Sequence, residues 1–92
     1  MEIVRGRARE SITPADFDVL RHTHTSVLVD VGCGDGVFPY RAAGTRDDLL
    51  AVGLDPHAEG MREYAQRAQR KPARGGRPNL LYVVGALEQV PP

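Results

Sequence analysis

A single cysteine, Cys33, stands in these 92 residues, so a disulfide framework is excluded and a reducing compartment fits. No apolar run approaches the roughly 18 residues that a membrane-spanning helix needs. The opening Met-Glu-Ile-Val-Arg has no secretory hydrophobic region either. These absences predict a cytoplasmic protein with no membrane partner. His22, His24, His57 and Cys33 lack the paired spacing of a zinc site, so no metal is expected. Net charge is missing as well, since twelve basic residues cancel twelve acidic ones. Repeats and low-complexity segments are absent. With 41% hydrophobic and 26% charged residues, the composition is that of an ordinary globular protein. At this length it holds one domain at most, a small α/β unit or a piece of a larger one.

What the sequence does contain is an alternation of strand and helix signals. Residues 2–11 read as a short, exposed, extended arm, with Arg5, Arg7 and Arg9 on one face if it is a strand. Thr13-Pro14-Ala15-Asp16 is a helix start, with Thr as N-cap, Pro at the first position and Asp three residues after the cap. That helix presents Phe17 and Leu20 to a core and ends near His22. Residues 27–31 (VLVDV) read as a buried parallel strand feeding a glycine turn. A helix is expected over 37–43, stopped by Gly44, then a strand over 49–54 that ends at Asp55-Pro56. From 58 to 71, Met61, Tyr64, Ala65 and Ala68 recur at helical spacing, with Glu63, Arg67 and Arg70 outside and Pro72 as the stop. A glycine- and arginine-rich loop over 73–78 precedes a third strand at 80–84, and 85–92 runs out as a loop.

Strand, glycine turn, helix, strand ending in an acid, helix, strand is one βαβαβ half of a doubly wound sheet. Ligands in such sheets bind beyond the carboxyl ends of the strands. Asp30, Gly32, Gly34 and Gly36 follow the first of these strands, Asp55 the second, and Leu87 and Glu88 the third. Asp55 stands where a carboxylate accepts hydrogen bonds from a ribose diol. The glycine spacing Gly-x-Gly-x-Gly differs from the nicotinamide fingerprint, because Val37 replaces its third glycine. Three acids, Asp30, Asp35 and Asp55, repel a pyrophosphate and favour the cationic sulfonium and ammonium of S-adenosylmethionine (SAM). The predicted fold class is therefore α/β, the Rossmann-like class I SAM-dependent methyltransferase fold, preceded by the arm and a helix. Residues 1–25 form the arm and helix; residues 26–92 form the SAM-binding half of a domain incomplete at its C-terminal side.

Simpler roles compete at each position. Asp30 also suits a helix cap, Asp35 a turn and Glu88 a solvated loop, while Cys33 fits as a small residue in a tight turn. Arg62, Arg67, Arg70, Lys71, Arg74 and Arg77 fall within a stretch whose one acid is Glu63. A merely solvated helix gains from Glu–Lys pairs four apart, whereas this one is expected to repel itself and to suit phosphate. A dinucleotide-binding oxidoreductase module, a SAM-dependent enzyme of another substrate and a non-catalytic RNA-docking module remain alternatives.

Over all 92 residues the chain resembles the N-terminal portion of the aminoglycoside-resistance 16S ribosomal RNA methyltransferases that modify N1 of adenine 1408. The resemblance rests on residues 2–9, DVGCGDG at 30–36, LDP at 54–56, KPARGGRPNLLY at 71–82, Glu88 and Pro91-Pro92. It implies that Asp30 and the Gly32–Gly36 backbone hold the methionine end of SAM, that Asp55 holds the ribose, and that Leu87 and Glu88 border the adenine. It also implies that Arg67, Arg70, Lys71 and Arg74 dock on the 16S rRNA of the 30S subunit. No catalytic residue is expected in this chain. By the same resemblance the strand at 27–31 is central in the complete fold, so its far edge is expected to be open here.

Overall fold

The structure, a computed structural model, describes residues 1–91; the second half of the Pro91-Pro92 motif lies outside the described residues. In chain order the elements are β1 (Glu2–Arg5), β2 (Ala8–Ser11), α1 (Pro14–His22), β3 (Ser26–Val31), α2 (Val37–Ala43), β4 (Leu49–Asp55), α3 (Arg62–Ala68) and β5 (Leu80–Val84). Short 3₁₀ turns lie at Ala58–Met61, Pro72–Arg74 and Leu87–Gln89. β3, β4 and β5 are parallel neighbours, with Val29 opposite Val52 and Val52 opposite Leu81. This is the βαβαβ half read from the sequence. The start of α1 follows its code in full: the Asp16 N–H donates to the Thr13 hydroxyl and the Thr13 N–H to the Asp16 carboxylate.

The N-terminal segment is extended, but it is not an exposed arm. β1 buries Ile3 and Val4 and pairs antiparallel with β5, Ile3 opposite Val83, while β2 folds back as a hairpin. The sheet order is β2-β1-β5-β4-β3. The hairpin covers the edge that β5 otherwise exposes, and its outermost strand carries Arg9 and Glu10, charges that discourage further pairing. Gly6, at φ +61°, opens a two-residue turn that places Arg7 off the strands. Arg5 and Arg9 pair instead with Glu10 and Glu2 across the hairpin. The predicted single face of three arginines is therefore not formed.

β4 is buried almost throughout because both its faces are covered. On one face Phe17 of α1 packs with Ile3, Leu50, Val52, Leu54, Leu81 and Val83; on the other Met61, Ala65 and Tyr82 pack with Val4 and Cys33. Each such large apolar side chain contributes about 1.5–3 kcal/mol by leaving water. β3 departs from the buried strand expected. Val27, Val29 and Val31 are exposed, and among the described residues β3 pairs with β4 alone. Its open edge is the one anticipated.

The predicted helix over 58–71 is also corrected. It begins as a 3₁₀ turn and its α-helical part stops at Ala68. The helical partner of the Ala68 carbonyl is the N–H of residue 72, and Pro72 has none. That carbonyl accepts from the Arg77 N–H instead, at 2.9 Å. Lys71, before the proline, is extended at φ −58°, ψ 144°. Arg70 and Lys71 consequently belong to the loop. Asn79, only 4% exposed, holds the end of that loop to the α2–β4 connection and the first residue of β4: the two N–H bonds of its Nδ2 are shared among the carbonyls of Ala43, Arg46 and Leu49 at 2.7–2.9 Å.

Candidate cofactor site

The turn after β3 is clamped to the neighbouring strand, with the Gly32 and Cys33 N–H groups both donating to the Leu54 carbonyl at 2.7 and 3.0 Å. Gly32, Gly34 and Gly36 all have positive φ, at 72°, 61° and 82°. Their reasons differ. A Cβ on Gly32 or Gly34 would meet nothing within 4 Å, so these two present bare backbone to open space. A Cβ on Gly36 would stand 2.5 Å from the Tyr82 ring. Below the turn, the buried Tyr82 hydroxyl donates to the Gly36 carbonyl at 2.7 Å, and burial pushes its ionisation well above the usual phenol range. The third glycine is therefore required by packing, a role that its place in the spacing pattern does not reveal.

Asp55, at the end of β4, has its side chain 12% exposed. One carboxylate oxygen accepts from the Gly34 N–H at 3.0 Å; the other accepts from the His57 N–H at 2.8 Å and lies 3.2 Å from His57 Nδ1. The His57 N–H chiefly, with the Gly34 N–H, holds the carboxyl below the usual carboxylate range against the opposing effect of burial. The oxygen bonded to Gly34 keeps a further lone pair, and the other keeps one in the tautomer whose Nδ1 carries no proton, which together is the capacity a ribose diol requires. The same carboxylate thus fixes the glycine turn and offers acceptors above it. Asp55→Ala is expected to lower SAM affinity by about 1.5–3 kcal/mol through lost charge-assisted bonds, read by calorimetry. Unchanged affinity would remove Asp55 from the site.

Asp30 is half-buried and, among the described residues, has no hydrogen bond or ion pair. Asp35 accepts from the Val37 N–H at 3.1 Å, the turn role that competes with a ligand role. Leu87 and Glu88 are exposed on the 3₁₀ turn beyond β5, reached through Gly85, whose N–H donates to the Asp55 carbonyl at 3.0 Å. Asp30 and Asp55 therefore lie at, and the glycine turn and residues 87–88 beyond, the carboxyl ends of three adjacent parallel strands. Bare amides, a carboxylate with free acceptors and an unpaired acid fit a nucleoside bearing a cationic tail. Cys33 is a packing residue: its Sγ lies 3.5 Å from Met61 Sδ, and burial, with Asp55 and Asp30 nearby, pushes its thiol up to about 12.

The basic residues lie elsewhere. Arg62 and Arg67 lie on α3, and Arg70, Lys71, Arg74 and Arg77 follow it and precede β5, toward the opposite end of the sheet. The helix does not simply repel itself: Arg67 reaches Glu63 at 3.2 Å and stacks on Tyr64, and Arg62 reaches Glu59 at 3.5 Å. Glu59, just ahead of the basic stretch, supplies a counter-charge that a count taken from Arg62 onward leaves out. Arg77 is structural. It stacks on Tyr40 at 4.6 Å and donates to the carbonyls of Tyr40 and Gly76. Arg70, Lys71 and Arg74 are exposed.

Residues 2–92 match the family model described as 16S rRNA (adenine(1408)-N(1))-methyltransferase. The chain is 39% identical over 92 residues to the enzyme of that description from Streptoalloteichus tenebrarius, covering all of this chain and 43% of that protein. It is 26% identical to the Escherichia coli enzyme over 91 residues, 99% of this chain and 42% of that protein. Among solved structures it is similar to the antibiotic-resistance methyltransferase Kmr, with 48% identity, TM-score 0.89 and coverage of 99% of this chain and 46% of that one. It is also similar to a mutant 16S rRNA (adenine(1408)-N(1))-methyltransferase from Catenulisporales acidiphilia with cosubstrate SAM, at 40% identity and TM-score 0.90, covering 99% and 41%. The chain thus spans less than half the length of these relatives.

Proposed function

The chain belongs to the 16S rRNA (adenine(1408)-N(1))-methyltransferase family, and from that premise we propose that it supplies the cofactor-binding portion of an enzyme that methylates N1 of adenine 1408 in the 30S subunit, conferring aminoglycoside resistance. The observation that carries the reading is the pairing of open backbone at Gly32 and Gly34 with the fixed Asp55 carboxylate beside it. SAM supplies an electrophilic methyl group on a sulfonium. In this reading Asp30 and the turn backbone hold its methionine end, Asp55 its ribose, and Leu87 and Glu88 border its adenine.

Adenine N1 has a lone pair and no proton to lose, so its attack on the methyl group needs no general base. The positive charge passes from the sulfonium to the base. The contribution of these residues is orientation of the donor, in a pocket whose acids tolerate cationic reactants throughout. N1 lies on the pairing edge of the base, so the target must leave its stack before transfer. The enzyme acts in the cytoplasm; no helix among the described residues is long and apolar enough to cross a membrane.

Arg67, Arg70, Lys71 and Arg74 dock on 16S rRNA. Phosphate contacts release counterions, so replacing all four with alanine in the full-length protein is expected to weaken subunit binding and to lower the salt slope by about one for each phosphate no longer neutralised. SAM affinity should not change, because the two regions lie at different ends of the sheet. Normal methylation of subunits by this variant at physiological salt would show the face to be merely solvated.

A further inference from the structure

A cleft of about 380 Å³ opens where the end of β1 meets the start of β5, toward the end of the sheet away from Asp55. Its walls carry Arg5, Arg70 and Arg77, and its apolar surface includes Leu20, Pro72 and Leu80. No carboxylate lines it among the described residues. The volume falls within the roughly 300–1,000 Å³ of small-ligand pockets.

The hairpin creates this arrangement. A Cβ on Gly6 would stand 3.5 Å from Gln69 Cγ, so the turn after β1 sits against the segment that follows α3. Arg5 is thereby brought to the basic loop, although it is remote in sequence. Arg77 is held by the Tyr40 ring and two carbonyls with its guanidinium against Gly44, so that charge lies beside the cleft and not in it. Arg5 pairs with Glu10 at 3.3 Å in a half-exposed ion pair. Such pairs hold weakly in water, so the guanidinium is free to turn to an anion. Arg5 and Arg70 line the hollow with no acid in its walls among the described residues, and a phosphate supplies the counter-charge while the arginine forks match its oxygens.

We propose that this cleft receives one unpaired nucleotide of the docked ribosomal RNA, its phosphate between Arg5 and Arg70 and its base against the apolar surface. Folded RNA is commonly read through such splayed nucleotides. The inference rests on the RNA-methyltransferase reading. It adds the hairpin to the docking surface and gives one point of that surface a shape.

The test measures binding of small subunits to the full-length protein and five variants: Arg5→Met, Arg7→Met, Arg70→Ala, Arg5→Met with Arg70→Ala, and Arg70, Lys71 and Arg74 together changed to alanine. Methionine keeps an unbranched apolar stem at position 5; melting temperature and SAM affinity are measured alongside. Arg7, exposed in the same turn, does not line the cleft and serves as the charge control. Arg5→Met is expected to weaken binding about tenfold, the loss of a charge-assisted hydrogen bond, and Arg7→Met less than about twofold. Adding Arg70→Ala to Arg5→Met should cost less than the two separate effects combined, because both groups hold one phosphate. Equal effects at positions 5 and 7, or full additivity, would overturn the cleft while leaving the docking face intact. Normal binding by the triple variant would overturn the RNA reading itself, and the cleft with it.

Discussion

Gly36→Ala will cost the protein about 2–5 kcal/mol of stability and will disturb the cofactor turn with it. Two costs add. An L residue at φ +82° pays about 1–2 kcal/mol for the left-handed backbone. The new methyl group stands 2.5 Å from the Tyr82 ring, and overpacking of this kind costs about 1–3 kcal/mol. Tyr82 cannot simply withdraw, because its hydroxyl is bonded to the Gly36 carbonyl and its ring also lies against Gly53, where a Cβ would stand 2.8 Å away. Urea unfolding of the full-length protein reads the loss. Gly34→Ala provides the contrast: its Cβ meets nothing within 4 Å, so it should show the backbone cost alone and lose SAM affinity by occupying the ligand's space. Equal destabilisation by the two changes would contradict the division of roles between these glycines.

Asn79→Asp is expected to destabilise the fold by about 3–5 kcal/mol at neutral pH, the cost of an uncompensated buried charge. The change is nearly isosteric, so packing is preserved. What it removes is a donor facing three carbonyl oxygens, and it substitutes an acceptor that repels them. Burial and the three carbonyls raise the folded-state pKa of the new carboxyl above its unfolded value of about 3.9. The penalty is therefore full above the raised value and is relieved as pH falls through it, since a protonated carboxyl again donates one hydrogen bond. Stability measured from pH 7 down to about pH 5 should rise for the variant relative to the parent. A variant as stable as the parent at pH 7 would show that Asn79 does not hold the loop to β4.

Local signals carry most of the fold. The capping box at Thr13, the strand into glycine at 27–32, the helix over 37–43 and the strand at 80–84 are legible because each is written within a few adjacent residues. The hairpin is not legible as the sheet's edge. Its pairing joins Ile3 to Val83, and no pattern within residues 2–11 names a partner so distant. The early end of α3 is readable in principle, since Pro72 deprives the Ala68 carbonyl of its helical donor. A proline marks a stop at its own position, but its effect on the hydrogen bonds reaches four residues back.

The candidate site shows the same division. Asp55 is visible as an acid ending a strand, but its bonds to Gly34 and His57 depend on how two loops meet. Tyr82 is, in sequence, only the last letter of a motif, and its place beneath Gly36 follows from the register of β4 and β5, with Gly53 opposite Tyr82. Much of KPARGGRPNLLY proves to be scaffold. A Cβ on Gly76 would lie 1.8 Å from the Arg70 carbonyl, the Tyr40 hydroxyl donates to the Gly75 carbonyl, and Arg77 and Asn79 tie the loop inward. A motif can thus mark a family through the loop it builds, with only Lys71 and Arg74 of its charges left facing solvent.

The most direct test of the proposed activity is to incubate the full-length protein with small ribosomal subunits and methyl-labelled SAM, then locate the label in 16S rRNA by nuclease digestion and mass spectrometry. The account predicts one labelled nucleoside, 1-methyladenosine at position 1408, lost on Asp55→Ala at limiting SAM. Label on a different nucleotide, or no label from protein shown to bind both SAM and the subunit, would contradict it.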